Sequence, residues 1–284
     1  MARRRLPEEP VSRLAVWARR LVLFSLVVVL LTVIVARSGL LDIIPVLVTF
    51  TAGLALAVAA ILLAVAAFVA IWRLGLRGFG SAVSAVLISL LLLAYPVYLG
   101  VKVYSLPKIS DVSSDPVDPP AFEIIARLRN RQANPVAYRG LSAPAMEASV
   151  YSDIESLDLT LPPQSAYAAV LAALAKRKDN LAAPLWRVID ERRPGPGRDG
   201  HVEAIAYTWI MGFRDDVAIR IRPTREGSRI DVRSASRYGR WDFGVNAARV
   251  RRLMEDIDEH ADAIKLEPPP PPKEPERRQR RRRR

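Results

Sequence analysis

The chain has 284 residues, of which 51% are hydrophobic and 25% are charged, and it contains 22 prolines. Its mean hydropathy is slightly positive at +0.13, which excludes a disordered chain, a collagen-like repeat and a simple soluble enzyme. The absence of cysteine excludes a disulfide framework, a thiol nucleophile and a zinc site built on thiolates.

The net charge of +13 is unevenly distributed along the chain. Residues 1–20 hold six basic and two acidic residues, and residues 267–284 hold eight basic and three acidic residues. Residues 105–266, in contrast, hold 24 basic and 23 acidic residues. A domain that binds nucleic acid carries its positive excess on the folded part. We therefore expect no nucleic-acid partner.

Three apolar stretches near the N-terminus predict transmembrane helices at about 18–36, 46–71 and 81–101, within a membrane region of residues 1–104. A spanning helix needs about 20 apolar residues, and no Asp, Glu, Lys, Arg or His falls within 21–36, 46–71 or 81–101. The first stretch also resembles a signal peptide, because it is short and has a basic flank. The lack of a small-x-small cleavage site before Arg37 favours a retained helix.

The basic residues of the short loops predict the orientation of these helices. One side of the membrane carries eight of them and the other carries three, namely Arg37, Lys102 and Lys108. Because lysine and arginine concentrate on the cytoplasmic side, the N-terminus is predicted to be cytoplasmic. Three crossings then place the rest of the chain outside. The predicted localisation is a multi-pass protein of the bacterial inner membrane with a periplasmic domain.

The remainder of the chain predicts a small α+β domain. Residues 105–120 are rich in proline and aspartate, which indicates an extended linker, and residues 121–266 form the domain. Helices are predicted at 163–178 and 250–264, and strands at 185–190, 201–210, 217–221 and 229–236. These elements predict an antiparallel sheet of about four strands flanked by helices. Trp186, Trp209 and Trp241 are expected in the core, and the Pro/Arg-rich tail, 267–284, is expected to be disordered.

Two segments carry a resemblance to a known family. The segment GFRDDV at 212–217 begins one strand, and RSASR at 233–237 ends the next, followed by glycine, aspartate, glycine, asparagine and arginine at 239, 242, 244, 246 and 249. Over about residues 110–262 the chain resembles the bacterial family called domain of unknown function 1499. That family has no established activity, so the resemblance implies a domain boundary and no mechanism. Many members begin as lipoproteins with Asn-Cys, whereas this chain has no cysteine and three apolar segments.

The same segment supplies the candidate binding residues. Arginine side chains bind phosphate and carboxylate groups in a forked geometry, and small hydroxyl residues between two arginines suit an oxyanion. The candidates for such an anion site are Arg233, Ser234, Ser236, Arg237 and Asp242. The alternative for the strand arginines, which we favour for Arg220 and Arg222, is a solvated face of cross-strand ion pairs.

No residue pattern predicts a catalytic site, a metal site or a cofactor. Asp215 and Asp216 are adjacent on a strand, so their side chains should point to opposite faces and not share one ion or proton. The sequence therefore favours a non-enzymatic, membrane-anchored domain that contacts membrane lipids and binds an anionic small molecule, a lipid headgroup or an envelope protein. The alternative is a hydrolase of an envelope substrate that uses Arg233, Arg237 and Asp242. The sequence leaves the oligomeric state open.

Overall fold

The computed structural model describes residues 9–106, 108–138, 150–178 and 186–266. The predicted tail lies outside these residues. The described helices are α1 (Arg13–Ser38), α2 (Ile43–Leu74), α3 (Phe79–Ser105), α4 (Ile124–Leu128), α5 (Pro163–Lys178) and α6 (Val245–Leu266). The described strands are β1 (Asp111–Ser113), β2 (Leu157–Leu159), β3 (Trp186–Arg192), β4 (Gly200–Tyr207), β5 (Arg214–Pro223) and β6 (Ser228–Ser236).

Helices α1, α2 and α3 are each long and apolar enough to cross a membrane, as the sequence predicts. Small residues let them pack closely: a side chain added at Gly53 would lie 2.9 Å from Val29. The Ser25 hydroxyl donates a hydrogen bond of 2.8 Å to the Gly53 carbonyl oxygen, which joins α1 to α2. Helix α1 ends at Ser38 and is capped by Gly39, whose φ of 68° is accessible to glycine at little cost. The chain is therefore that of a membrane-anchored protein.

The sheet is antiparallel and six-stranded, with the order β1-β6-β5-β4-β3 and with β2 also paired to β6. The prediction of an α+β domain is confirmed, but the predicted strand count of about four is too low. Strands β1 and β2 have three residues each, which is too short for an alternating pattern to be visible in the sequence. Strand β1 also lies within 105–120, so part of the predicted linker belongs to the sheet.

Helices α5 and α6 cover one face of the sheet, and the main hydrophobic core lies beneath them. The face includes Val202, Val217, Ile219 and Val232, which pack with the buried helix residue Leu253. We call it the helix-covered face.

The opposite face carries most of the strand charges. Because strand residues alternate, Asp216, Arg220, Asp231 and Arg233 share this face, which we call the arginine face. Residues 114–138 cross over it and include helix α4, and we call them the cover segment. Phe122 and Ile125 of the cover segment are buried against the sheet in a second, smaller hydrophobic cluster.

The tryptophans differ from the sequence prediction. Trp186 is buried in the core, but Trp209 is 74% exposed, so its predicted place in the core is wrong. Strand β4 ends at Tyr207, before the end predicted from the apolar pattern at 201–210, and Trp209 therefore lies in the turn between β4 and β5. Trp241 is partly buried under the ammonium group of Lys108, which lies 4.5 Å from its ring centre.

Candidate functional site

The five predicted site residues lie on two sides of the sheet. Alternation along β6 puts Arg233 on the arginine face and Ser234 and Ser236 on the helix-covered face. Arg237, just after β6, pairs with Asp216 on the arginine face, whereas Asp242 lies at the start of α6. The five residues therefore do not form one cluster.

Ser234, Ser236 and Asp242 belong to a buried network that holds α6 against the sheet. Ser234 donates to Asn246 Oδ1 at 2.8 Å, and Asn246 donates to Ser236 Oγ at 3.0 Å. Asp242 accepts hydrogen bonds from the backbone N–H groups of Gly244 and Asn246, both at 2.9 Å, as a helix cap does. Burial raises the pKa of the Asp242 carboxyl, and those two N–H groups oppose the shift.

Arg233 is held from all sides by residues of its own chain. Its guanidinium donates to both oxygens of Asp111, at 2.9 and 2.7 Å, and to the backbone oxygens of Pro120 and Val136. It also lies 4.6 Å from the ring centre of Phe122. These contacts hold β1 and the cover segment against the sheet. The role of Arg233 is therefore to stabilise the fold.

Arg237 has a different environment, because it shares one carboxylate with a second arginine. Arg237 Nε donates to Asp216 Oδ1 at 2.8 Å, and Arg129 Nε donates to Asp216 Oδ2 at 2.6 Å. Both arginine side chains are 4% exposed and that of Asp216 is 0% exposed. We call Arg129 and Arg237 the arginine pair. Two positive charges and one negative charge leave a buried excess of +1.

Each member of the arginine pair also has a buried nitrogen without a hydrogen-bond partner. Among the described residues, Nη2 of Arg129 and Nη2 of Arg237 donate no hydrogen bond. Arg237 Nη2 lies 2.8 Å from Asp216 Oδ1, but the geometry is that of an ion pair and not of a hydrogen bond. Buried polar groups usually have hydrogen-bond partners. Within the described ranges, Arg129 Nη2 has no acceptor and Arg237 Nη2 has only the poorly aligned oxygen of Asp216, so an additional acceptor would suit both nitrogens.

Burial and the two neighbouring arginines also affect the pKa of Asp216. Burial raises the pKa of the Asp216 carboxyl, and the guanidinium groups of Arg237 and Arg129 oppose that shift. Its neighbour Asp215 points to the other face and pairs with Arg249 of α6 at 2.6 Å. The prediction that the two aspartates point apart is confirmed.

Arg220 and Arg222 form ion pairs, as the sequence favours. Arg220 contacts Asp231 at 3.0 Å and Asp118 at 3.0 Å, while Arg222 contacts Asp115 at 3.0 Å. Their side chains are only 14% and 28% exposed, because the cover segment lies over them. This part of the arginine face is therefore covered and not solvated.

A small cleft of about 100 Å³ lies between the soluble domain and the membrane helices. From the domain it is lined by Asn130, Arg214 and Tyr238, and from the membrane side by the turn between α1 and α2, including Asp42. We call it the junction cleft. Two residues of its wall, Asn130 and Tyr238, directly follow Arg129 and Arg237 in the sequence.

The sequence identified Arg237 as a candidate site residue, but it did not identify Arg129 or Asn134. Arg129 and Asn134 lie in the cover segment, where the sequence has no strand or motif that would place them next to β5 and β6. Asn134 Nδ2 donates to the backbone oxygens of Ser236 and Gly239, and its own backbone oxygen accepts from Arg129 Nη1 at 2.8 Å. Such long-range contacts can be identified only once the fold is known.

Comparison with known proteins identifies the family of the domain. Residues 111–257 match the family described as protein of unknown function (DUF1499). The match spans just over half of the chain, and the chain belongs to that family. None of the curated proteins compared with it matches this chain.

Among solved structures, the chain is similar to the crystal structure of protein CV1439 from Chromobacterium violaceum. The sequence identity is 14% and the TM-score is 0.23, and the similar region covers 39% of this chain and 96% of that one. A TM-score of this size supports no argument about function.

Proposed function

We propose that this protein is a membrane-anchored binding domain and that the arginine pair takes an anionic, phosphate-bearing group. The observation that carries the proposal is the buried pair of guanidinium groups on the single carboxylate of Asp216. In the described part of the chain, Nη2 of each arginine donates no hydrogen bond, and that of Arg237 has only an ion-pair contact with Asp216. A phosphate oxygen would accept hydrogen bonds from these nitrogens and would neutralise the excess charge.

The junction cleft supplies the approach to the arginine pair. Its wall includes the exposed Arg214 and the residues that follow Arg129 and Arg237 in the chain. Because the cleft lies at the end of α1 and the start of α2, a lipid headgroup and a free phosphate could both reach it. The two ligands share the chemistry that the arginines recognise.

The domain is proposed to lie on the periplasmic side of the bacterial inner membrane. The support is the distribution of basic residues in the short loops, with eight on the side of the N-terminus and three on the other side. Three spanning helices put the N-terminus and the domain on opposite sides.

The hydrolase alternative needs Arg233, Arg237 and Asp242 in one cluster. Arg233 is committed to Asp111, and Asp242 caps α6 on the other side of the sheet. A binding function fits the arrangement of these residues better than a catalytic one.

The proposal is tested on the full-length protein with two probes. Inorganic phosphate is titrated into the detergent-solubilised protein by calorimetry. Thermal unfolding is then compared in nanodiscs of phosphatidylcholine alone and in nanodiscs that also contain phosphatidylglycerol. Binding of phosphate together with stabilisation by the anionic lipid supports a general anion site, and stabilisation by the lipid alone identifies a headgroup.

The matched variants are Arg237→Gln and Arg229→Gln. Arg237→Gln leaves a balanced Arg129–Asp216 pair, so the fold should be kept, but one donor to the anion is lost. A hydrogen bond to a charged group contributes about 1.5–3 kcal/mol, so the affinity should fall at least about tenfold. Arg229 pairs with Asp158 at an exposed position and should have no effect. Absence of binding in the wild type, or equal loss in both variants, would overturn the proposal.

A further inference from the structure

The turn between β4 and β5 is a largely apolar segment of the soluble domain. Its sequence from Thr208 to Phe213 is Thr-Trp-Ile-Met-Gly-Phe. Thr208 closes it, because its backbone N–H donates to the Phe213 carbonyl oxygen at 2.8 Å and its hydroxyl accepts from the Phe213 N–H at 2.9 Å. Met211 is buried, whereas the indole of Trp209 is largely exposed. A fixed turn thus presents a large aromatic side chain outward.

The contacts of this turn define its height relative to the membrane. The guanidinium of Arg37 donates a hydrogen bond to the Trp209 carbonyl oxygen. A side chain added at Gly212 would lie 3.2 Å from the Arg37 Cα atom, so the turn rests on the end of α1. Arg37 is the first charged residue after the apolar stretch 21–36 of α1, and such a residue lies at the level of the lipid headgroups. Trp209 therefore lies at that level too.

Other residues at the same ends of the membrane helices are also typical of a membrane–water interface. Leu40 and Leu41, in the turn after α1, are exposed, and so is Tyr104 near the end of α3. Tryptophan and tyrosine concentrate at this depth, since the ring is apolar and its polar group still reaches water or headgroups.

We propose that Trp209 inserts into the headgroup region of the bilayer that α1, α2 and α3 cross. The β4–β5 turn is then a second membrane attachment, which holds the soluble domain against the surface and keeps the junction cleft at headgroup level. This proposal rests on the contacts of Arg37 and does not depend on anion binding. It holds for either orientation of the chain, because the turn and the end of α1 lie on the same side.

The test uses single cysteines, since the chain has none of its own. Full-length Trp209→Cys and Val117→Cys are labelled with an environment-sensitive fluorophore and reconstituted in phosphatidylcholine nanodiscs. Val117 is an exposed apolar residue of the cover segment and is the matched control. Iodide in the aqueous phase should quench the label at 209 about five-fold less than the label at 117, and nitroxide-bearing lipid should quench it more.

A third labelled chain shows what Trp209 itself contributes. Ile210→Cys, with Trp209 kept, should be shielded from iodide. Adding Trp209→Ser should weaken this shielding without loss of the fold, because the indole is exposed, but should not abolish it, because Arg37 still binds the backbone of the turn. Equal quenching by iodide at 209 and 117 would overturn the proposal. Shielding at 209 that grows with the protein-to-lipid ratio would also overturn the proposal. It would show that position 209 contacts a second copy of the chain and not the lipid.

Discussion

Glu203 is fully buried on the arginine face, where both of its carboxylate oxygens accept hydrogen bonds from the backbone at the start of α4. The N–H groups of Glu123 and Ile124 bind one oxygen, and the N–H of Ile125 binds the other at 2.6 Å. His201 lies 3.2 Å from the same carboxylate. Burial alone would raise the pKa of Glu203, but His201 and these N–H groups outweigh it, so the pKa is lowered from its usual value of 4.5.

We predict that Glu203→Gln destabilises the protein and flattens its stability at acid pH. A carboxyl whose pKa is lowered in the folded state stabilises that state above the unfolded pKa, and this contribution is lost as the pH falls below about 4.5. The variant should lose about 2 kcal/mol at neutral pH, because one glutamine oxygen cannot satisfy all the N–H groups. Thermal unfolding of the full chain from pH 7 to pH 3 measures both effects.

The matched control is Glu226→Gln, at an exposed position of the β5–β6 turn. It should follow the wild type at every pH. A Glu203→Gln protein that keeps the acid sensitivity of the wild type would show that another carboxyl governs it.

The alternation of side chains along a strand determines on which face of the sheet each residue of the candidate site lies. The rule separates Asp215 from Asp216, and it equally separates Arg233 from Ser234. Applied to the RSASR segment, it predicts from sequence that the arginines and the serines face different layers. The rule could not predict that Arg129 shares the Asp216 carboxylate with Arg237. Arg129 reaches Asp216 only because the cover segment folds over the sheet.

At the scale of the elements, the parts that could be predicted have long, regular patterns. The membrane helices lack charge over many residues, and β5 alternates apolar and polar side chains along its length. Helix α6 carries a clear stripe of buried residues, namely Val250, Leu253, Ile257 and Ala261. Each of these patterns follows from burial on one face, or from lipid on all faces, and needs no knowledge of distant contacts.

The elements that sequence reasoning missed are short and are set by tertiary contacts. Strand β1 exists because its backbone pairs with Ser234 and its neighbours in β6 and because Asp111 binds Arg233. The prolines that follow β1 correctly indicate irregular structure, but that structure is packed on the arginine face and is not a free linker. The secondary-structure propensity of a segment is a weak guide to its structure where long-range ion pairs hold the backbone in place.

At the scale of the whole molecule, the three spanning helices and the soluble domain meet at the junction cleft. Arg37 at the end of α1 bonds to the β4–β5 turn, and Arg214 at the start of β5 lies against Gly39. The domain therefore rests on the membrane end of α1 and is not held away from it by a spacer. An anion site beside this junction would be within reach of lipid headgroups.

The proposed orientation predicts the behaviour of topology reporters. Alkaline phosphatase fused after Lys108 should be active and a cytoplasmic fluorescent protein fused there should be dark, because three crossings lead from a cytoplasmic N-terminus to the periplasm. Fusions after Gly75, in the turn between α2 and α3, should give the opposite pattern. A fluorescent fusion after Lys108 that is bright would place the domain in the cytoplasm.

The most direct measurement of the anion site is the effect of phosphate on unfolding of the Asp216→Asn variant. Without the carboxylate, two buried guanidinium groups have no counter-charge, a change that typically costs about 3–5 kcal/mol. If the arginine pair binds an anion, phosphate should raise the unfolding temperature of full-length Asp216→Asn more than that of the wild type, relative to chloride at the same ionic strength. Asp158→Asn, at an exposed ion pair, should respond as the wild type does. An Asp216→Asn protein that phosphate fails to stabilise would contradict the account.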